Sequence, residues 1–293
     1  MIYDIRHVTT YRYAAPVASA ACVLRLLPRD EPGQSVLDSG LEISPHPSET
    51  HSSVDAFGNR VTQVRIDAPH RELRIAALSR ISVNRQAAPA PGLTPAWEQI
   101  RAAAQASRLL AQDSPAHFLY ASRQIALHED TTLWCAGSFA PNRPMLEAAV
   151  ELMGRIRRDF KYEKDATEVT TTVAEAFASR KGVCQDFAHV MIAGLRGLGL
   201  PAAYVSGYIR TIPPPGKPRL EGADASHAWV SVWCGPEFGW LGLDPTNDQM
   251  IGDDHVVVAR GRDYADVSPI DGVFIGSGDH ELSVSVDVKP EGA

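Results

Sequence analysis

Cysteine is scarce in this sequence. The 293 residues include only four cysteines, which are Cys22, Cys135, Cys184 and Cys234. They lie far apart and form no CxxC pair, which argues against a disulfide framework of the kind that stabilises small secreted domains. This pattern indicates a reducing compartment, and we expect the protein to be cytoplasmic.

Long apolar runs are absent as well. No stretch reaches the ~18 apolar residues that a transmembrane helix requires, so we expect no membrane span. Charges at Asp4, Arg6 and Arg12 interrupt the N-terminal segment, which is therefore not typical of a signal peptide.

Clusters of like charge are also missing. The chain has 28 Lys and Arg against 35 Asp and Glu, a net charge of −7. A mildly acidic protein without a basic run is a poor candidate for binding nucleic acid. We expect neither nucleic acid nor a membrane as a partner, and the sequence does not indicate an oligomeric state.

The overall composition, 44% apolar and 22% charged, is that of a soluble globular protein. Residues 1–88 contain short alternating segments separated by turn signals, which predict a β-rich N-terminal domain, either a sandwich or a small barrel. An Ala/Pro-rich linker follows at residues 87–95. Residues 95–293 are the predicted second domain, in which helices precede strands.

Apolar residues at three- and four-residue spacing predict helices in the second domain. One is expected at residues 144–160 and another at 170–181, where Thr172 and Glu175 have capping-box spacing. A third begins at Cys184 and runs to residue 199. Period-two alternation then predicts strands at 203–209, 227–233, 240–244 and 282–288, with an irregular loop at 213–224.

The third helix carries a cysteine in its first turn. Unpaired backbone N–H groups and the positive end of the helix dipole favour a thiolate over a thiol at that position. Cys184 is therefore a candidate nucleophile that needs a general base. The other three cysteines have no base at comparable spacing and are interpreted as structural.

A histidine and an aspartate follow in a suitable order. His227 begins one predicted strand, and Asp244 ends the next strand after a short turn. In an antiparallel hairpin the start of the first strand lies beside the end of the second, so we expect these side chains to be neighbours. His227 would take the thiol proton, and Asp244 would accept a hydrogen bond from the other ring nitrogen. The reaction would be attack of Cys184 on an amide or ester carbonyl to form a thioester.

Each of these three residues also has a structural explanation. A lone cysteine is more often a small buried apolar residue, and a histidine at a strand start is often structural. An aspartate before proline is common in turns. From the three residues and the hairpin geometry, a catalytic triad and three unrelated structural residues both stay open.

The neighbouring residues read GVCQDFA at 182–188, AAYVSGY at 202–208, SHAWV at 226–230 and LDPT at 243–246. In these motifs and in the order of Cys, His and Asp, the chain resembles the bacterial transglutaminase-like superfamily. The resemblance implies an α+β fold: a papain-like, transglutaminase-like core, with the cysteine helix packed on an antiparallel sheet, preceded by an all-β N-terminal domain. It implies the nucleophile at Cys184, the base at His227 and the orienting carboxylate at Asp244. Bacterial relatives of this type are usually described as candidate cysteine proteases.

An oxyanion hole needs a donor besides the backbone N–H of Cys184. Papain-like enzymes often use a glutamine shortly before the cysteine, but residues 176–183 contain none. Gln185 and Tyr208 are the candidate substrate or oxyanion residues.

Two further polar residues, Asp186 and His189, follow on the same helix. About 200° of helical rotation separates Asp186 from Cys184, which is unfavourable for shared coordination. We therefore expect no metal and no cofactor. The two residues are interpreted as packing the helix or as supporting the site by hydrogen bonds.

The resulting hypothesis is a cysteine-dependent peptidase or amidase that acts on a peptide or amide substrate. One alternative is an acyltransferase of the transglutaminase type, which passes the acyl group to an amine. Another is a catalytically silent binding module. The sequence shows none of the extra domains or cation sites of calcium-dependent transglutaminases, which favours hydrolysis over crosslinking.

Overall fold

The computed structural model describes residues 1–211 and 225–291. The loop predicted at residues 213–224 lies outside the described residues. The strands are β1 (Ile2–Val17), β2 (Ser19–Leu24), β3 (Gln34–Ser44), β4 (Glu49–Val54), β5 (Arg60–Ile66), β6 (His70–Val83), β7 (Lys161–Tyr162), β8 (Lys181–Gly182), β9 (Ala202–Ile209), β10 (Ala225–Trp233), β11 (Trp240–Asp244), β12 (Gln249–Met250), β13 (His255–Gly261), β14 (Ile270–Ile275) and β15 (His280–Pro290). The α-helices are α1 (Trp97–Ala106), α2 (Glu129–Ala136), α3 (Met145–Asp159), α4 (Val173–Ser179), α5 (Cys184–Gly197) and α6 (Tyr264–Val267).

The N-terminal strands form a β-sandwich. One four-stranded antiparallel sheet has the order β15-β1-β6-β3, and the other has the order β14-β2-β5-β4. Alternation along β1 and β6 turns one face of each strand inward. Leu24 and Ile66 from one sheet and Ile75 from the other are buried between the sheets.

The last two strands return to this sandwich. β14 pairs with β2, and β15 pairs with β1 so that Val288 lies opposite Ile5. The sequence pattern assigns residues 95–293 to the second domain, whereas residues 270–290 complete the sheets of the first. Alternation shows which face of a strand is buried, but it does not show which sheet accepts the strand.

The second unit is built on α5 and a five-stranded sheet. This antiparallel sheet has the order β12-β11-β10-β9-β13. α5 is buried on almost every side, because it packs on β9 and β10 and also on α2, α3 and α4. Tyr204, Ala228 and Val230 of the sheet share one apolar core with α5. This packing fixes the axis of the helix and therefore the position of its first residue.

The three helices predicted for this unit are present, although α4 is shorter than the predicted 170–181. α3 and α5 begin within one residue of the predicted positions. α4 has the expected capping box, in which Thr172 Oγ1 accepts from Glu175 N–H and Glu175 Oε2 accepts from Thr172 N–H. In the part of the chain that the structure describes, no helix combines the length and apolarity needed to cross a bilayer.

Two side-chain amides of the sandwich form hydrogen bonds with backbone groups on the outer edge of β13. Gln34 Nε2 donates to Val257 O, and Gln34 Oε1 accepts from Val257 N–H, each over 2.8 Å. Asn59 pairs in the same way with Arg260, over 2.7 and 2.8 Å. Both amides are buried, and they act as the partner that an edge strand lacks. The sandwich is thereby fastened to the sheet that carries His227 and Asp244.

Candidate active site

Cys184 is the first residue of α5, as the sequence predicts. The backbone just before it is held by Asp186, whose Oδ2 accepts from Val183 N–H over 2.8 Å and from Thr167 Oγ1 over 2.6 Å. A Cβ at Gly182 would lie 2.5 Å from the same oxygen, so this position requires glycine. Asp186 therefore supports the turn that presents the thiol.

The accessible thiol of the chain is that of Cys184. It is half-buried, whereas Cys22, Cys135 and Cys234 are buried. Burial raises the pKa of Cys135 and of Cys234 to about 12, and it raises the pKa of Cys22 above its ordinary value. These three thiols are protonated and shielded at neutral pH, so alkylating reagents should select Cys184.

His227 and Asp244 are neighbours, as the hairpin predicts. The register of β10 and β11 pairs Val230 with Leu243, which places Asp244 opposite Trp229 and two residues from His227. His227 Nε2 lies 2.7 Å from Asp244 Oδ2, and both side chains are buried. Cys184 interacts with the same imidazole and helps to raise its pKa. Because Nε2 faces the carboxylate, Nδ1 is the ring nitrogen left for the sulfur.

The electrostatics of the pair favour a charged imidazole. Burial by itself lowers the pKa of His227, but the hydrogen bonds and charges of Asp244 and Cys184 outweigh it and raise the pKa to about 10. Burial by itself raises the pKa of Asp244. Hydrogen bonds from His227, His255 and Asn247, together with the His227 charge, hold that pKa well below its ordinary value. The arrangement can therefore store a proton on the imidazole beside a buried carboxylate.

Both oxygens of the Asp244 carboxylate are fixed by donors. Oδ1 accepts from the backbone N–H groups of Thr246 and Asn247, over 3.0 and 3.2 Å. Oδ2 accepts from Asn247 Nδ2 over 2.7 Å and lies 3.4 Å from His255 Nε2. The carboxylate is held against rotation, and it presents Oδ2 to His227.

Sequence reasoning missed Asn247 and His255. The Asp-Pro-Thr-Asn turn at residues 244–247 could have indicated Asn247, because an aspartate often accepts from the backbone two or three residues later. His255 carries no such local signal. It reaches Asp244 because the chain crosses from β12 at one edge of the sheet to β13 at the other.

The two predicted oxyanion candidates have other hydrogen-bond partners in this structure. Gln185 Nε2 donates to Val169 O over 3.0 Å. The Tyr208 hydroxyl lies 2.9 Å from His7 Nδ1, in the interface with the sandwich.

Tyr162 is a third residue of this region that sequence reasoning did not single out. β7 pairs with β8 so that Tyr162 lies opposite Gly182, two residues before the cysteine. Its ring stands edge-on to Phe187 in the first turn of α5, with 6.3 Å between ring centroids. Burial and the negative charge of Cys184 raise the pKa of its hydroxyl. The side chain is 44% exposed, so it is placed at an open border of the site.

His189 lies inside the protein and away from this chemistry. Its Nε2 accepts from the backbone N–H of Tyr264 over 3.2 Å, and its ring contacts Tyr204. Burial lowers its pKa to about 4, so the imidazole is neutral. Within residues 1–211 and 225–291, no group of three or more His, Cys, Asp or Glu is placed to hold a metal ion.

Comparison with known proteins identifies the family. The model of the transglutaminase-like superfamily matches residues 135–245, and that of the bacterial transglutaminase-like N-terminal region matches residues 3–82. An uncharacterized protein of Mycobacterium tuberculosis is 41% identical over 98% of this chain and 92% of its own length. The chain belongs to the bacterial transglutaminase-like superfamily. The predicted family is therefore confirmed.

Two further relatives and one solved structure extend the comparison. An uncharacterized protein of Mycobacterium leprae is 30% identical over 96% of both chains. A protein-glutamine gamma-glutamyltransferase of Pseudomonas aeruginosa is 42% identical over 71 residues, which are 24% of this chain and 10% of that protein. The fold matches the crystal structure of a candidate cysteine protease from Cytophaga hutchinsonii with a TM-score of 0.75. That match has 20% identity and covers 98% of this chain and 90% of the other.

The predicted fold class is confirmed by these findings: a transglutaminase-like α+β core with a β-rich N-terminal region. Membership in the superfamily supports a cysteine-dependent hydrolase or acyltransferase.

Proposed function

We propose that this transglutaminase-like protein is a cysteine-dependent amide hydrolase, a peptidase or amidase with Cys184, His227 and Asp244 as its catalytic triad. The observation that carries the proposal is the buried His227–Asp244 pair, 2.7 Å apart, and Cys184 acts on the same imidazole by helping to raise its pKa. Acyl transfer needs a nucleophile, a base beside it and a carboxylate that orients the base, and these three residues can fill those roles.

The proposed resting site is a thiolate–imidazolium pair, in which the Cys184 proton has already passed to Nδ1 of His227. The thiolate attacks the carbonyl carbon of a peptide or amide substrate, and the C=O bond becomes a C–O⁻ bond. When the C–N bond breaks, the imidazolium of His227 gives its proton to the leaving amine, and a thioester to Cys184 remains. His227 then takes a proton from water, which attacks the thioester, and the carboxylic acid leaves while the thiol is restored.

The tetrahedral intermediate needs hydrogen bonds to its oxyanion. One donor in the proposal is the backbone N–H of Cys184, which lies in the first helical turn and has no partner within the helix. We assign the second to the Tyr162 hydroxyl, because its ring packs one turn along α5 from the sulfur and its hydroxyl senses the charge on Cys184. Gln185 and Tyr208 remain candidates that would first have to leave Val169 and His7.

Replacing Tyr162 by Phe tests the assigned donor. We expect kcat to fall about tenfold, less than for a fully buried oxyanion donor because the side chain is partly solvated. KM should stay nearly unchanged, since the hydrogen bond forms mainly in the transition state. The measurement is steady-state hydrolysis of a peptide amide. Tyr120→Phe is the matched control, because Tyr120 is an exposed tyrosine outside the site. An unchanged kcat for Tyr162→Phe would remove Tyr162 from the mechanism.

Trapping the acyl-enzyme tests the proposed function directly. The protein is mixed with an activated ester such as a p-nitrophenyl ester, quenched in acid and digested for mass spectrometry. We expect one acyl group, carried by Cys184. A binding module with the same fold would give no adduct. An acyl group on any other residue would also contradict the proposal.

Transfer to an amine is the second candidate function, and the local match to a protein named protein-glutamine gamma-glutamyltransferase favours it. The two candidates differ only in what attacks the thioester. We expect peptide amides to give free acid at a rate that added primary amine does not raise. If the new amide becomes the main product, the protein is an acyltransferase and the hydrolase assignment fails.

A further inference from the structure

His255 reaches the proposed triad from the far edge of the sheet. Between β12 and β13 the chain crosses the sheet face, and Ile251 of this crossing packs against the buried cluster of Val205, Trp229 and Val257. His255 follows as the first residue of β13, with its ring edge-on to Trp229 and 5.3 Å between centroids. The side chain is almost completely buried, at 2% exposure.

The hydrogen bonds of His255 define its tautomer. Nδ1 accepts from the backbone N–H of Gly252 over 3.3 Å, so the ring proton lies on Nε2. That nitrogen is 3.4 Å from Asp244 Oδ2 and donates to it. His255 therefore supplies a neutral donor to the carboxylate oxygen that also binds His227.

The turn that carries His255 is anchored to the N-terminal sandwich. Asp254 Oδ1 accepts from the Tyr3 hydroxyl over 3.0 Å and from Arg210 Nε over 2.7 Å. Asp253 Oδ1 accepts from the backbone N–H of Arg85, just after β6, over 2.9 Å. The position of His255 thus depends on both units of the protein.

His255 is not placed to act as a second base. Both of its ring nitrogens are engaged, with Gly252 and with Asp244. Cys184 acts instead on the pKa of His227, whose ring centroid is 6.4 Å from that of His255. The hydrogen bond from His255 can restrict the orientation of the Asp244 carboxylate.

We propose that His255 is a positioning residue that holds the Asp244 carboxylate in line with His227 and couples this carboxylate to the N-terminal sandwich. The inference rests on the proposed roles of Cys184, His227 and Asp244. It assigns a task to the sandwich, which fixes the turn at residues 252–255. An outer partner of this kind acts by keeping a catalytic group in its productive orientation.

The test compares His255→Phe with His255→Gln. Phenylalanine keeps the ring volume against Trp229 but has no donor, whereas the glutamine amide can place an N–H near the position of Nε2. The readout is the second-order rate of Cys184 alkylation by iodoacetamide at pH 7, with the unfolding temperature of each variant. We expect His255→Phe to lower the rate about fivefold, equivalent to about 1 kcal/mol. His255→Gln should restore most of the wild-type rate. We expect the unfolding temperatures of the variants not to follow the order of their alkylation rates.

Two outcomes would overturn the inference. One is an unchanged alkylation rate in His255→Phe, and the other is a His255→Gln rate as low as that of His255→Phe. The assay needs no substrate, so its failure is distinguishable from failure of the proposed function. If His255 controls alkylation but no amide is hydrolysed, the hydrolase proposal fails and the positioning role stands.

Discussion

Replacing Cys184 by alanine should abolish amide hydrolysis, with a fall in kcat of about 10⁴-fold or more. The variant loses the atom that forms the thioester, and no other thiol can replace it. Cys22, Cys135 and Cys234 are buried, and burial keeps their pKa values high. Fast alkylation near neutral pH should disappear in the same variant. The measurements are hydrolysis of a peptide amide and incorporation of iodoacetamide.

Cys22→Ala is the matched control for this experiment. Cys22 lies in the core of the sandwich, so its truncation costs some stability without touching the site. We expect the control to retain hydrolysis and rapid alkylation. Retention of full hydrolysis by Cys184→Ala would refute the nucleophile and, with it, the thioester mechanism.

Replacing Asp244 by asparagine should lower kcat/KM about 10³- to 10⁴-fold, as loss of the orienting carboxylate does in other triads. If the NH₂ group of the asparagine faced His227, Asn247 and His255, hydrogen-bond donors would lie opposite hydrogen-bond donors. The imidazole would lose the acceptor that holds the proton on Nε2, and it would then present the wrong tautomer to Cys184. Steady-state kinetics on a peptide amide measures this loss.

Asp248→Asn is the control for the carboxylate. Asp248 is exposed in the same turn, and its φ of 53° is a conformation that asparagine tolerates. We expect this variant to keep wild-type kinetics. An Asp244→Asn enzyme that differed from Asp248→Asn by less than about tenfold would show that the carboxylate does not orient the base.

Asp244→Asn should also change how the free energy of unfolding depends on pH. The reference is the wild-type protein, because Cys184 contributes to the raised pKa of His227. His227 has a pKa raised from 6.5, so its contribution is complete below that value and is lost as pH rises through the folded-state pKa. Asp244 has a pKa lowered from 3.8, so its contribution is present above that value and is lost as pH falls.

The pair should therefore stabilise the fold most between pH 3.8 and 6.5. We expect Asp244→Asn to lower the free energy of unfolding most in this window, with the difference shrinking as pH rises above it. Urea unfolding at several pH values measures it. A difference that grew steadily above pH 7 would contradict the assigned charges.

Much of the site follows from local pattern. Apolar spacing and the glycine before Cys184 predict a helix beginning at the cysteine, and α5 begins there. Alternation in two strands joined by a short turn predicts that His227 meets Asp244, and their side chains are 2.7 Å apart. These relations are readable because each involves only one helix start or one hairpin, for which backbone geometry sets the neighbours.

The sequence by itself determined the position of the proposed nucleophile, the pairing of the proposed base with a carboxylate, and the family. Only the tertiary structure decided that residues 270–290 complete the sandwich, that His255 reaches Asp244, and that Tyr162 stands beside the first turn of α5. The physical reason is that periodicity reports which face of an element is buried. The identity of the covering element depends on how distant segments pack, and no local pattern encodes that choice.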